Sequence, residues 1–399
     1  MELYKITMKY CHFFYTIIVS TIFLLASFIF SSCEEEETEP VIHTSYRTIV
    51  VFMPWSSNMK TFFDDNINSI EKVISEGILN NENFVVCIST SQSKALLIEL
   101  KNRGDVCVRD TLSVIEDADF TKTEHIAKML ADVTREYPAY HYGLIIGAHG
   151  MAWVPSSPNV NRAPYHSGNG DKPMTRWFGG LTPDSQIEIS SLAEGISKAG
   201  LHMDYVLFDD CYMSSVEVAY ELRHVTDYLV ACPTEVMIYG FPYESCTRYL
   251  VGNVDYASLC ETFIDFYQSY FVPYGTVAVT DCRVLDELAS SVRNMHQNGL
   301  LTKNNTIRIQ QMDGYSPHLF YDLGDTYDKL CNDSAALAYF HGLLQRAVPF
   351  KANTRYYYSA NGSIYLINSY SGLTTSEFSA NALAETYDST LWYRDIHRN

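Results

Sequence analysis

Residues Tyr205–Leu222 read YVLFDDCYMSSVEVAYEL. The opening apolar run has the pattern of a strand buried on both faces, yet it ends on Asp209, Asp210 and Cys211. The segment SSVEVAYELRH that follows carries helical periodicity, so the chain passes from buried strand to helix through a charged turn bearing a thiol. In open α/β sheets, ligand and catalytic groups lie just outside the carboxyl ends of the strands. The stretch therefore predicts an α/β fold and marks Cys211 as a candidate nucleophile. The helix that follows presents its positive end and would favour a thiolate.

The flanking sequence repeats the alternation. RTIVVFM around Ile49 reads as a strand, followed by a helix to about Leu79 and then the strand-like runs NFVVCIST and KALLIEL. TKTEHIAKMLADVTREYP is a helix expected to open with a capping box from Thr121 to Glu124 and to stop before Pro138. AYHYGLIIGAHG is a buried strand that delivers His149. A helix from about Ile189 to Lys198 precedes YVLFDD, and the strand DYLVACP follows the Cys211 helix. Beyond Gly240 the helix YASLCETFIDFYQSYF and the strand YGTVAVTD are clear, and YYYSANGSIYLINSY alternates like one strand. Together these predict an α/β/α sandwich on a mainly parallel central sheet, with a C-terminal extension. No internal repeat and no linker interrupts the chain after Pro40, so residues 46–285 are expected to form the core and 286–399 the C-terminal part of the same unit. The segment from Met151 to about Ser185, rich in Pro, Gly, Asn and Ser, is longer than an ordinary connection, as functional loops often are.

His149 and Cys211 thus end two strands that would deliver an imidazole and a thiol to one edge. Strand alternation places Asp209 on the side of Cys211 and points Asp210 away. A carboxylate beside a nucleophile opposes thiolate formation unless it floors a pocket that takes a cation. Asp209 is then a candidate reader of Arg or Lys, with Arg favoured by bidentate geometry. The other reading is that both aspartates cap the helix that follows.

The 399 residues carry a formal net charge of -19 and no basic stripe, which argues against a nucleic-acid binder. Residues 1–33 have the order of a secretory signal: Lys5 and Lys9, an apolar stretch to Phe30, then Ser31, Ser32 and Cys33. The small pair before Cys33 resembles the lipobox of bacterial lipoproteins, with Cys33 as the lipidated residue; a plain membrane anchor is the alternative. The acidic run CEEEETEP makes residues 34–45 an extended tether and resembles the surface-export signal of some outer-membrane lipoproteins. The expected location is therefore outside the cytoplasm, lipid-anchored to a bacterial membrane, at the outer membrane or cell surface. Of ten cysteines, Cys11 and Cys33 lie in the leader and the rest are scattered without a CxxC pair, so no disulfide framework is expected. His141, His202, His224, His318 and His341 show no metal-binding spacing, and no metal site is predicted.

The segments YPAYHYGLIIGAHGMAW, YVLFDDCYMSSVEVAYELRHVTDYLV and YGFPY, with LFYDLGDTYDKL and GSIYL further on, resemble the clostripain family of cysteine peptidases, whose fold is caspase-like. The resemblance implies an endopeptidase that cleaves after Arg or Lys through a thioester acyl-enzyme. It makes His149 the general base or acid and Cys211 the nucleophile, with the N–H groups of Gly150 and Cys211 as oxyanion donors. It also makes Asp209 the pocket acid, and protein or peptide substrates with basic residues the partners. No cofactor is required; calcium enters only because some relatives depend on it. Relatives are often cut between the catalytic His and Cys, which makes Arg162, Lys172 and Arg176 candidate self-cleavage sites. Asp210, Tyr212 and Cys232 depart from the family's usual residues, and TEVMIYGFPY lacks a common Pro-Gly; these changes touch pocket walls more than the Cys–His pair. A catalytically inert surface lipoprotein that uses the fold for binding or adhesion is the alternative.

Overall fold

Nine strands line up in one sheet among the residues that the computed structural model describes, which are 44–56, 58–156, 178–269, 273–302 and 308–398. The leader with Cys33, nearly all of the tether, and Arg162, Lys172 and Arg176 lie outside the described residues. In chain order the strands are β1 (Ser45–Met53), β2 (Glu82–Ser91), β3 (Lys94–Asn102), β4 (Cys107–Ile115), β5 (Ala139–Gly147), β6 (Met203–Asp209), β7 (Thr226–Ala231), β8 (Thr276–Asp281) and β9 (Phe350–Asn353). Across the sheet they run β9-β8-β7-β6-β5-β1-β2-β3-β4. From β7 to β2 every pairing is parallel. The middle of these strands is apolar without a break, as in Val50-Val51-Phe52, Leu144-Ile145-Ile146 and Val206-Leu207-Phe208, all buried, because helices cover both faces.

Topology assigns the helices to faces. From β1 through α1 (Lys60–Ser75) to β2 the chain moves one way along the sheet. From β5 through α2 (Ile189–Lys198) to β6, and through α3 (Val216–Leu222) to β7, it moves the other way. Right-handed crossovers then put α1 on one face and α2 and α3 on the opposite one. The order reverses between β1 and β5, and the crevice at that switch point opens where β1, β5 and β6 end.

Both flanks of the sheet differ from the parallel pattern. KALLIEL returns as β3, antiparallel to β2, because the connection at Gln92-Ser93 is too short for the crossover that a parallel neighbour needs. YGTVAVTD forms β8, antiparallel to β7. YYYSANGSIYL is two strands, Tyr356–Tyr358 and Ile364–Leu366, paired as a hairpin outside the main sheet. Its turn holds Asn361-Gly362, with Gly362 at φ 87°.

Capping differs as well. The helix Thr123–Glu136 starts after Lys122 without a side-chain cap, because the Thr121 hydroxyl donates instead to Asp119 Oδ1 at 2.5 Å. Ser215 caps α3, accepting from the Val218 N–H at 3.2 Å, so neither aspartate before Cys211 does.

The C-terminal part is joined to the core at several places. It supplies β9, and Gly372–Thr374 runs beside the turn after Cys211, where Gly372 O accepts from Ser214 Oγ at 2.7 Å and the Thr374 N–H donates to Ser214 O at 3.1 Å. The eight cysteines of the described residues are free thiols. No helix among the described residues is long and apolar enough to cross a membrane.

Candidate active site

β5 and β6 are parallel neighbours in a register that sets Gly147 opposite Asp209. His149 and Cys211 each follow two residues later, so they leave the sheet side by side and line one cavity of about 50 Å³ with Asn58, Asp209, Val236 and Gly240. Both side chains are nearly covered, His149 at 5% and Cys211 at 6% exposure.

Asp210 ties the two strand ends together, since its Oδ1 accepts the Ala148 N–H at 2.6 Å. Its Oδ2 is buried without a hydrogen-bond partner among the described residues. Burial drives the Asp210 carboxyl well above the usual range. Gly150 passes so close that a Cβ there would collide with the Cys211 carbonyl and sit 2.8 Å from Asp210 Cβ. The site thus rests on a backbone approach that only glycine permits.

The turn after Cys211 holds strain. Tyr212 adopts φ 64°, a left-handed conformation that costs a non-glycine residue about 1–2 kcal/mol. Its surroundings enforce it. The Tyr212 N–H donates to Thr234 O at 3.0 Å, the ring stacks on Phe320 at 4.9 Å, and the hydroxyl donates to Glu235 Oε1 at 2.5 Å.

His149 Nε2 lies 3.0 Å from Asn58 Oδ1. An amide oxygen only accepts, so this contact selects the Nε2–H tautomer and leaves the Nδ1 lone pair as the proton acceptor. Burial lowers the imidazole pKa to about 4, which keeps it neutral. Asn58 escaped the sequence reading, although it follows β1, the strand next to β5 at the switch point. Its signal is position alone, a polar residue just past the end of a central strand.

Cys211 faces the segment after β7. The Val236 N–H donates to Sγ at 3.2 Å, and Sγ lies 3.8 Å from Val236 O. Burial, with Glu235 nearby, pushes the thiol well above its ordinary pKa. In this arrangement Cys211 is a neutral thiol, and the helix end that sequence reasoning credited with favouring a thiolate is outweighed by desolvation.

Asp209 and Asp210 bond to different segments, Asp210 to the Ala148 N–H and Asp209 Oδ1 to the Phe241 N–H at 2.8 Å, but Asp210 does not point away from the site as strand alternation predicted, since both line the cavity. Burial raises Asp209 to about 6, against the lowering effect of that bond. Gly240 turns over the carboxylate at φ 64°, its N–H bonded to Met237 O at 2.8 Å, and a Cβ there would run into the Asp209 oxygens. Residues 236–241 therefore cover thiol and carboxylate together. They are anchored on both sides, by Glu235, which accepts from Ser359 Oγ at 2.7 Å and the Ala360 N–H at 2.5 Å, and by Gly240 O, which accepts from the Tyr267 hydroxyl at 2.6 Å.

Comparison with known proteins follows the same lines. The sequence model of the clostripain family matches residues 51–393. A secreted C11 cysteine protease from Bacteroides thetaiotaomicron, "iotapain", is 42% identical, with a TM-score of 0.83 over 89% of this chain and 100% of that one. An inactive zymogen C11 protease from Parabacteroides distasonis is 28% identical, with a TM-score of 0.73 over 90% of this chain and 100% of that one. A clostripain from Bacteroides thetaiotaomicron in complex with the peptide inhibitor BTN-VLTK-AOMK is 48% identical, with a TM-score of 0.54 over 56% of this chain and 100% of that one. No curated protein matches the chain.

Proposed function

Because the chain belongs to the clostripain family of cysteine peptidases and has its caspase-like α/β fold, we propose that it is an endopeptidase cleaving after Arg or Lys, with Cys211 as nucleophile and His149 as base. The observation that carries this reading is the β5–β6 register, which brings imidazole, thiol and Asp209 around one cavity at the switch point of the sheet.

The chemistry then runs in two halves. His149 takes the Cys211 proton, and sulfur attacks the peptide carbonyl carbon while the N–H groups of Gly150 and Cys211 hold the oxyanion. Neither amide has an acceptor among the described residues. Collapse breaks the C–N bond, the imidazolium protonates the leaving amine, and a thioester remains. Water, deprotonated by His149, hydrolyses it and restores the thiol. Asp209 pairs with the cationic side chain before the cleaved bond. A relative bound to an inhibitor whose sequence VLTK ends in lysine supports that preference.

Substrate can enter only when residues 236–241 move off Cys211 and Asp209. Self-cleavage after Arg162, Lys172 or Arg176, between His149 and Cys211 in sequence, is the proposed trigger, and calcium has no assigned part in it. Mass spectrometry of wild type beside Cys211→Ala tests this: a nick absent from the mutant supports it, and equal nicking or none contradicts it. The secreted relative supports export. The proposed tether is a lipid on Cys33 at a bacterial membrane surface.

The direct test uses fluorogenic peptides ending in Arg, Lys, Asp or Asn. Cleavage after Arg or Lys by wild type, absent in Cys211→Ala, is expected. No cleavage of any peptide, even after nicking of the 151–185 loop, would favour an inert scaffold for binding or adhesion.

A further inference from the structure

We propose that His296, Glu377 and His397 form a binding site for a zinc-class divalent cation that pins the C-terminal helix to the body of the protein. His296 lies in the last turn of the helix Leu285–Gln297, Glu377 follows the strand Thr374–Thr375, and His397 directly follows the helix Leu391–Ile396. They are far apart in sequence, yet their candidate ligand atoms all fall within 4.8 Å of one another. Two imidazole nitrogens and one carboxylate oxygen are a donor set that zinc takes in tetrahedral sites, with the fourth position left for water.

The carboxylate is unusual. The Glu377 side chain is 2% exposed, and among the described residues its ion-pair partners are His296 and His397. Oε2 accepts from the Tyr327 hydroxyl at 2.5 Å. Oε1 faces His296 Nε2 at 2.6 Å and His397 Nε2 at 3.4 Å. The closer contact lacks hydrogen-bond alignment, and both of its atoms are buried without a hydrogen-bond partner. The imidazole rings sit 4.2 Å apart and converge on the same oxygen. Nearby guanidinium groups are engaged elsewhere, Arg293 with Asp395 at 2.6 Å and Arg398 with Asp395 at 3.5 Å.

One carboxylate oxygen addressed by two ring nitrogens without hydrogen-bond direction is explained by a cation that all three ligate. Tetrahedral Zn²⁺, which holds nitrogen and oxygen at about 2.0–2.1 Å, sets its donors roughly 3.3 Å apart; His397 Nε2 already stands at 3.4 Å from Oε1, and the 2.6 Å contact to His296 would open by about 0.7 Å to complete the site. Tyr327 on the far oxygen orients the carboxylate, as outer partners of metal ligands do. His397, 32% exposed, leaves the site open to solvent on one side.

The test uses tag-free protein carrying Cys211→Ser, so that the thiol of the peptidase site takes no metal. Zn²⁺ retained after dialysis is measured per chain, and Co²⁺ replaces it as an optical probe of tetrahedral ligation. One Zn²⁺ per chain and a rise in Tm are expected, with affinity falling at least tenfold in His397→Ala and in Glu377→Gln. His397 is partly exposed and outside the helix, so its variant keeps the reading clean if Glu377→Gln fails to fold. No retained Zn²⁺, or retention unchanged in His397→Ala, would overturn the proposal.

Discussion

The Val236 N–H donates to the Cys211 sulfur at 3.2 Å, so the candidate nucleophile is engaged by the segment that fills its substrate side. Two arrangements of residues 236–241 follow: one with a covered, neutral thiol, as described, and one that admits a peptide. Gly240 is the weak point of the covered arrangement, because it combines φ 64° with close approach to Asp209. In Gly240→Ala the backbone strain alone is worth about 1–2 kcal/mol, which shifts the balance toward the open form about tenfold. Alkylation of Cys211 by iodoacetamide, followed by mass spectrometry, should be about tenfold faster in the variant. An unchanged rate would show that the segment does not control access.

Asp209 gives a pH-dependent signature. Its folded-state pKa, about 6, lies above the value near 3.9 of an unfolded aspartate. A raised carboxylate contributes stability that is fully present below the unfolded pKa and is lost as pH rises through the folded one. Asp209→Asn removes this loss, so at pH 7 the variant should be more stable than wild type by on the order of 2–3 kcal/mol. The difference should close between pH 6 and about 4. Thermal melts across that range check it.

The same substitution should damage activity selectively. If Asp209 pairs with the substrate cation, loss of its charge lowers kcat/KM for Arg and Lys peptides by roughly 10²–10³, since breaking a buried charge pair costs about 2–5 kcal/mol. Peptides with a neutral residue before the cleaved bond should be spared. A uniform fall across all peptides would remove Asp209 from the specificity role.

Asp210 should act as a positioning residue. Its Oδ1 bond to the Ala148 N–H spans the two strand ends that carry His149 and Cys211. Asp210→Asn keeps an acceptor there and should leave stability within about 1 kcal/mol, whereas Asp210→Ala leaves a buried N–H unpaired and costs about 1–3 kcal/mol. Denaturant titrations distinguish the two. Restored kcat in Asp210→Asn, beside depressed kcat in Asp210→Ala, would mark the bond as what aligns the site.

The sequence showed most where strands were long, apolar and followed by a helix. Ile189–Lys198 is found at the expected residues, and the strands ending before His149 and Cys211 are neighbours, so local pattern carried the reading from residues to site. It showed less where direction depends on connections: β3 is as apolar as a parallel strand, and only the short link at Gln92-Ser93 gave away the hairpin. Asn361-Gly362 is a hairpin signal set inside an alternating run, which masks it. Thr121 and Glu124 matched a capping box, yet Asp119 offered the hydroxyl a better acceptor. Neither the cover over Cys211 nor the cluster of His296, Glu377 and His397 has a local pattern, because each forms only when distant segments meet.

The most direct measurement treats the protein with an irreversible peptide inhibitor ending in lysine and locates the adduct by mass spectrometry, comparing wild type with Cys211→Ala and His149→Ala. The structure predicts one adduct, on Cys211, strongly slowed in His149→Ala and absent in Cys211→Ala. An adduct on another residue, or an equal rate without His149, would contradict the assignment of Cys211 and His149 as the reacting pair.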